Sequence, residues 1–215
     1  MKKLINFSIL FLLFAALSSC FKRNDETSGQ TYISGKITEF GTGKAVSNAT
    51  VVILKASVGA LFSQGGELIP LDTVYTDSGG NYAYDYATED KFRYAIQVFK
   101  IGYFESDKHN GNIINDPGKN KMNIILKPKG YIRFYLKNTK PFDSYDRIAF
   151  GGNWNGSLQD DIFIGDDINE VQIREVESNT YSKFYFYVTK NKIQIETRDS
   201  LYLKAADTLN YKFQY

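Results

Sequence analysis

One histidine, one cysteine and one tryptophan stand among 215 residues, so the reactive chemistry open to this chain is narrow. A hydrolase working near neutral pH needs a base that titrates there. The single histidine, His109, lies in Asp107-Lys108-His109-Asn110-Gly111-Asn112, which has the composition of a solvated loop. With no cysteine after Cys20, no second histidine and no G-x-S-x-G block, the usual nucleophile triads and the Cys- or His-based zinc sites lack their parts. No catalytic residue is assigned, and no cofactor is expected.

Carboxylates are the remaining reactive groups. Asp160-Asp161 and Asp166-Asp167 flank the apolar run Ile162-Phe163-Ile164-Gly165. Two acids brought together across a cleft could do glycosidase work, and four could gather calcium, a hard cation that takes six to eight oxygens. The spacing matches neither an EF-hand loop nor the acidic repeats of calcium-binding solenoids. Acidic turn residues at the two ends of a strand give the same pattern.

The other candidate is a binding loop. In Gly151-Gly152-Asn153-Trp154-Asn155-Gly156-Ser157 a flat ring could stack on a sugar while Asn153 and Asn155 bond its hydroxyls. Equally, Trp154 could fold back over a core as a plug, with the glycines and asparagines simply making the turn. Tyr185 and Tyr187, interleaved with Phe184 and Phe186, could line an exposed sheet face, and edge-of-sheet packing accounts for them as well.

The cysteine belongs to different chemistry. Lys2 and Lys3 precede an unbroken apolar run from Ile9 to Leu17, too short to span a bilayer, so residues 1–19 read as an export signal. Leu17-Ser18-Ser19-Cys20 resembles the lipobox of bacterial lipoproteins, with Ser19 where Gly or Ala is usual. That resemblance implies cleavage before Cys20, acylation with chains such as palmitate, and an outer-membrane lipoprotein facing the periplasm or the surface. Each buried methylene contributes about 0.8 kcal/mol, so several chains hold where one would exchange. Residues 20–30 then form a polar tether. Without Lys2 and Lys3 the basic and acidic side chains balance at 24 each. A neutral chain lacks the basic footprint a nucleic-acid partner needs. No intrachain disulfide is possible, so stability must come from packed cores.

The elements that would position these groups are strands. Ile33, Gly35 and Ile37 share one face, and so do Ala49, Val51 and Ile53, Tyr94, Ile96 and Val98, and Met122, Ile124 and Leu126. Residues 58–68 are the one stretch that could hold a short helical turn. The blocks "ISGKITEFGTGKAVSNATVVIL", "DTVYTDSGGNYAYDY" and "YAIQVFKIGYFE" resemble, in that order, the transthyretin-like (prealbumin-like) modules grouped as carboxypeptidase regulatory-like or Cna B-type domains. The resemblance covers residues 31–128 and implies a β-sandwich serving as an accessory, without the peptidase activity of the family name. Cna B-type relatives carry a Lys–Asn isopeptide crosslink promoted by an acid. Here Lys36 and Asn123 sit in suitable strands, but Gln97 stands where the acid would be, and Lys36 alternates onto the polar face.

Lys127-Pro128-Lys129-Gly130 reads as a hinge. Beyond it, residues 129–215 alternate again through Ile132, Phe134 and Leu136, Phe184, Phe186 and Val188, Ile193 and Ile195, and Leu209, Tyr211 and Phe213. Strand signals about every ten residues are those of a seven-strand sandwich. The expectation is an all-β chain: a transthyretin-like sandwich, then an immunoglobulin-like one, non-catalytic, bound to the membrane by lipid, with an envelope protein or a glycan as partner.

Overall fold

Period-two alternation becomes fifteen β-strands and no helix in the computed structural model, which describes residues 29–57, 68–106, 112–114, 117–154 and 160–215. The stretch that could hold a helical turn lies almost wholly outside these residues.

The first eight strands are β1 (Gly29–Glu39), β2 (Thr50–Ser57), β3 (Ile69–Tyr75), β4 (Asn81–Thr88), β5 (Phe92–Phe99), β6 (Ile113–Ile114), β7 (Gly118–Lys121) and β8 (Ile124–Leu126). Strand β1 pairs antiparallel with β4 and, along its other edge, parallel with β7 and then β8. The facing sheet runs β3-β2-β5-β6. Between them lie Ile33, Ile37, Val51, Ile53, Ile96, Val98 and Leu126, the faces that the alternation marks as inward. Burying each such aliphatic side chain contributes roughly 1.5–3 kcal/mol. The TDSGGNY block is a turn: Asp77 Oδ1 accepts the Asn81 N–H at 2.8 Å, and Gly80 has φ +76°.

Seven further strands follow: β9 (Lys129–Lys137), β10 (Arg147–Gly152), β11 (Asp161–Ile164), β12 (Asn169–Glu177), β13 (Thr180–Lys190), β14 (Ile193–Leu203) and β15 (Thr208–Gln214). They form a sheet β12-β9-β15, with β15 parallel to β9, and an antiparallel sheet β11-β10-β13-β14. Their shared core is aromatic. Phe134 meets Phe150, Phe184 and Trp154 at ring-centre distances of 5.3, 5.0 and 5.7 Å, and Phe186 stacks on Phe213 at 4.0 Å.

The segment expected to be a hinge is braced. The Pro128 carbonyl accepts from both the backbone N–H and the hydroxyl of Ser178, at 2.9 and 2.8 Å, and the Lys129 N–H donates to Gly102 O at 2.8 Å. Asn179, at φ +57°, donates its amide to Phe40 O at 2.9 Å and to Glu39 Oε1 at 3.3 Å. Burial pushes the Glu39 carboxyl up, but hydrogen bonds from Tyr103, Thr42 and Asn179 and the nearby Lys44 charge outweigh it and hold it below the usual range. Proline removes a donor here while its carbonyl gains two partners, so the join is held from both sides.

Candidate functional site

Because Phe184 and Phe186 point into the core, the odd residues of β13 and the even residues of β14 share the outer face of their sheet. Cross-strand partners there are Tyr181 with Tyr202, Lys183 with Ser200, Tyr185 with Arg198 and Tyr187 with Glu196. Tyr181 and Tyr202 meet edge to face at 5.2 Å, and Tyr185 and Tyr187 lie 5.2 Å apart. A band of four tyrosines flanked by Lys183 and Arg198 results.

Two adjacent glycines set the geometry. Gly151 faces outward, and a Cβ there would sit 2.4 Å from the Tyr185 hydroxyl oxygen. The Tyr185 ring therefore lies flat across the β10 backbone and reaches Asp160, to which its hydroxyl donates at 2.6 Å. That bond first, then burial, pushes the Tyr185 phenol up to about 12, so at neutral pH it keeps its proton. Gly152 faces inward, where a Cβ would lie 2.2 Å from Trp154 Cζ3. One ring closes over each side of the same strand.

Beside Tyr185 opens a cleft of ≈ 450 Å³ lined by Gly152, Asn153, Lys183, Tyr185, Arg198 and Ser200, among others. A fixed aromatic face with amide, ammonium and guanidinium donors around it can hold a flat polar ligand by stacking and hydrogen bonds.

The residues singled out from sequence fall in different places. Trp154 is 6% exposed, its ring set against Phe134 and Phe150 with the Arg174 guanidinium 5.9 Å from its centre. The indole lies as a plug over the core and presents no stacking face to solvent, with its ring seated where any side chain at residue 152 would collide with it. Asn153 is exposed at the cleft, on the other side of the strand from the indole. Asn155, His109 and Cys20 lie outside the described residues.

The acidic pairs do not converge. Asp160 serves Tyr185 on the outer face, Asp161 pairs with Arg174, and Asp166 and Asp167 are exposed in the turn after β11. Successive strand residues point to opposite faces, which separates Asp160 from Asp161. Among the described residues no group of three or more His, Cys, Asp or Glu side chains could hold a metal ion. Lys36 is exposed, and it is its backbone N–H that meets Asn123 Oδ1, at 3.0 Å.

Amine, amide and carboxylate do meet at one corner the sequence did not mark. Lys190 Nζ donates to Asn138 Oδ1 at 2.7 Å, Asn138 Nδ2 donates to Asp146 Oδ2 at 2.8 Å, and Nζ lies 3.7 Å from that oxygen. Asp146 is fully buried and also accepts from the Phe142 and Asp143 N–H groups, at 2.9 and 3.4 Å. Burial raises its pKa, yet these donors and Lys190 more than offset that and keep it below the usual carboxylate range. An ionised acid facing an ammonium is an ion pair, so the cluster is a structural staple.

Fold and site define the class: an all-β chain of two sandwiches with a tyrosine-lined cleft on an outer sheet face. No family model matches it, and no curated protein does. Among solved structures it is similar to the Bacillus anthracis TIE protein (11% identity over 86% of this chain and 34% of that one, TM-score 0.35). It is similar also to a streptococcal ancillary pilin (12%, 83% and 62%, TM-score 0.35) and to a DUF3823 family protein from Bacteroides uniformis (9%, 81% and 100%, TM-score 0.28). The chain spans about a third of the first and under two thirds of the second.

Proposed function

We propose that this chain is a non-catalytic contact module of the bacterial cell envelope, tethered by acyl chains on Cys20, in which a transthyretin-like first sandwich carries an immunoglobulin-like second one. The observation that carries the reading is the braced junction. Hydrogen bonds from Asn179 to Phe40 and Glu39, and from Ser178 to Pro128, fix one sandwich on the other, as a part that must present a surface at a set orientation requires. The tether is tested by fractionation: the full-length chain should float with membranes and Cys20→Ser should be released. A wild-type chain that stays soluble overturns the anchor.

A glycan is the occupant the cleft favours. Tyr185 is a rigid platform, held by Asp160 and backed by Gly151, and its neighbours Asn153, Lys183 and Arg198 supply donors suited to hydroxyl and carboxylate oxygens. Titration calorimetry against neutral and uronic-acid oligosaccharides should find a binder that Tyr185→Ala weakens about tenfold, the worth of one aromatic contact. Silence across both classes leaves an envelope protein as the partner.

A further inference from the structure

Strand β14 ends its sheet and pairs only with β13, through an unbroken eleven-residue register. Its sequence, IQIETRDSLYL, contains no proline and no lysine, and its pairing has no bulge. Natural sheets blunt their edges with these devices. Three other edges of this chain use them: β3 carries Pro70 and faces a register shift at Ile53/Leu54, β11 is only four residues long, and β12 turns Arg174 inward onto Asp161. By contrast β14 exposes both faces from Ile193 to Asp199, with Ile193 and Ile195 at 64% and 63%. Among the described residues nothing covers that edge.

We propose that β14 pairs antiparallel with β14 of a second copy of this chain, about a two-fold axis through Thr197. The charges choose both partner and register. A two-fold perpendicular to the sheet keeps outer face with outer face, so residues opposite each other must share parity. Centring on Thr197 sets Glu196 against Arg198 of the second copy and Arg198 against its Glu196. With the Arg198–Glu196 pair already present within each strand, the four charges form a square of alternating sign. Centring on Glu196, Arg198 or Asp199 would set like charges opposite, and centring on Ile195 would give neither Glu196 nor Arg198 a counter-ion across the axis. On the inner face Ile193 is laid against Leu201 of the second copy. The backbone ladder supplies the attraction and the charges set the register, since exposed ion pairs contribute little by themselves.

The product is one eight-stranded sheet with a continuous outer face. Arg198 and Ser200 line the cleft and flank the axis, so two clefts come to lie side by side, and a repeating polymer could engage both. The pairing itself does not depend on what fills the cleft.

The test is sedimentation of the full chain carrying Cys20→Ser, which keeps acyl chains out of the measurement. This protein should show a concentration-dependent dimer. Arg198→Glu and Glu196→Arg, each added alone, should weaken it about tenfold or more, because each places like charges across the axis. Mixed in equal amounts, the two variants should form a heterodimer, since every facing pair is then opposite in sign. A parent that stays monomeric at its highest soluble concentration overturns the proposal, and so does a mixture that associates no better than its parts.

Discussion

Trp154→Ala is expected to lower the unfolding free energy by about 3–5 kcal/mol, among the largest losses a single side chain here can cause. The ring is in contact with Phe134 and Phe150 in the core of the second sandwich, so its removal leaves a cavity bounded by rings that cannot close over it. Among the described residues its Nε1–H has no acceptor, so the ring's worth is packing and not a hydrogen bond. Trp154→Phe should therefore recover most of the loss. Urea unfolding followed by circular dichroism measures both. The same experiment separates a core tryptophan from a binding one: Trp154→Phe should leave oligosaccharide affinity unchanged, and indole fluorescence should not respond to ligand. A drop in affinity with stability intact would put the ring at the binding surface after all.

The alternation that placed Ile33, Ile37, Val51, Ile53, Ile96 and Val98 was enough to assign faces in the first sandwich, because both sheets there meet a single core. It was not enough for β14. Ile193 and Ile195 continue the inward face of Leu201 and Leu203, yet β15 does not reach across to cover them. Period says which residues share a face, and only tertiary context says whether the face is covered. The cleft was hidden for a similar reason. Tyr185 and Asp160 are 25 residues apart, and nothing local ties them. The adjacent glycines Gly151 and Gly152 were the available signal, since two such residues in a strand mark close approach from both sides as readily as a loop. Proline and glycine at residues 128–130 likewise suggest looseness only until the partners of the Pro128 carbonyl, fifty residues away, are known.

Asp146→Ala should cost about 3–5 kcal/mol, the usual consequence of removing one member of a buried ion pair while its partners remain. Four donors converge on this carboxylate: the Asn138 amide, the Phe142 and Asp143 N–H groups and, at 3.7 Å, the Lys190 ammonium. Alanine would take this acceptor from the Asn138 amide and the two N–H groups at a fully buried position, while Lys190 keeps its bond to Asn138 Oδ1. Lys190→Met should cost less, because three hydrogen-bond donors to Asp146 survive, although the contact of the ammonium with the Tyr215 ring, 4.8 Å from its centre, is lost. The pH dependence follows from the depressed carboxyl. A group with a lower pKa folded than unfolded contributes fully above the unfolded value, near 3.9, and that contribution disappears as pH falls through the lower folded value. The difference between wild type and Asp146→Ala should thus be constant from neutral pH down to about 5 and shrink only in stronger acid. Denaturant unfolding at several pH values reads this directly. A gap that stays the same in acid would mean that shape, and not the ionised carboxylate, holds the corner between β9, β10 and β13 together.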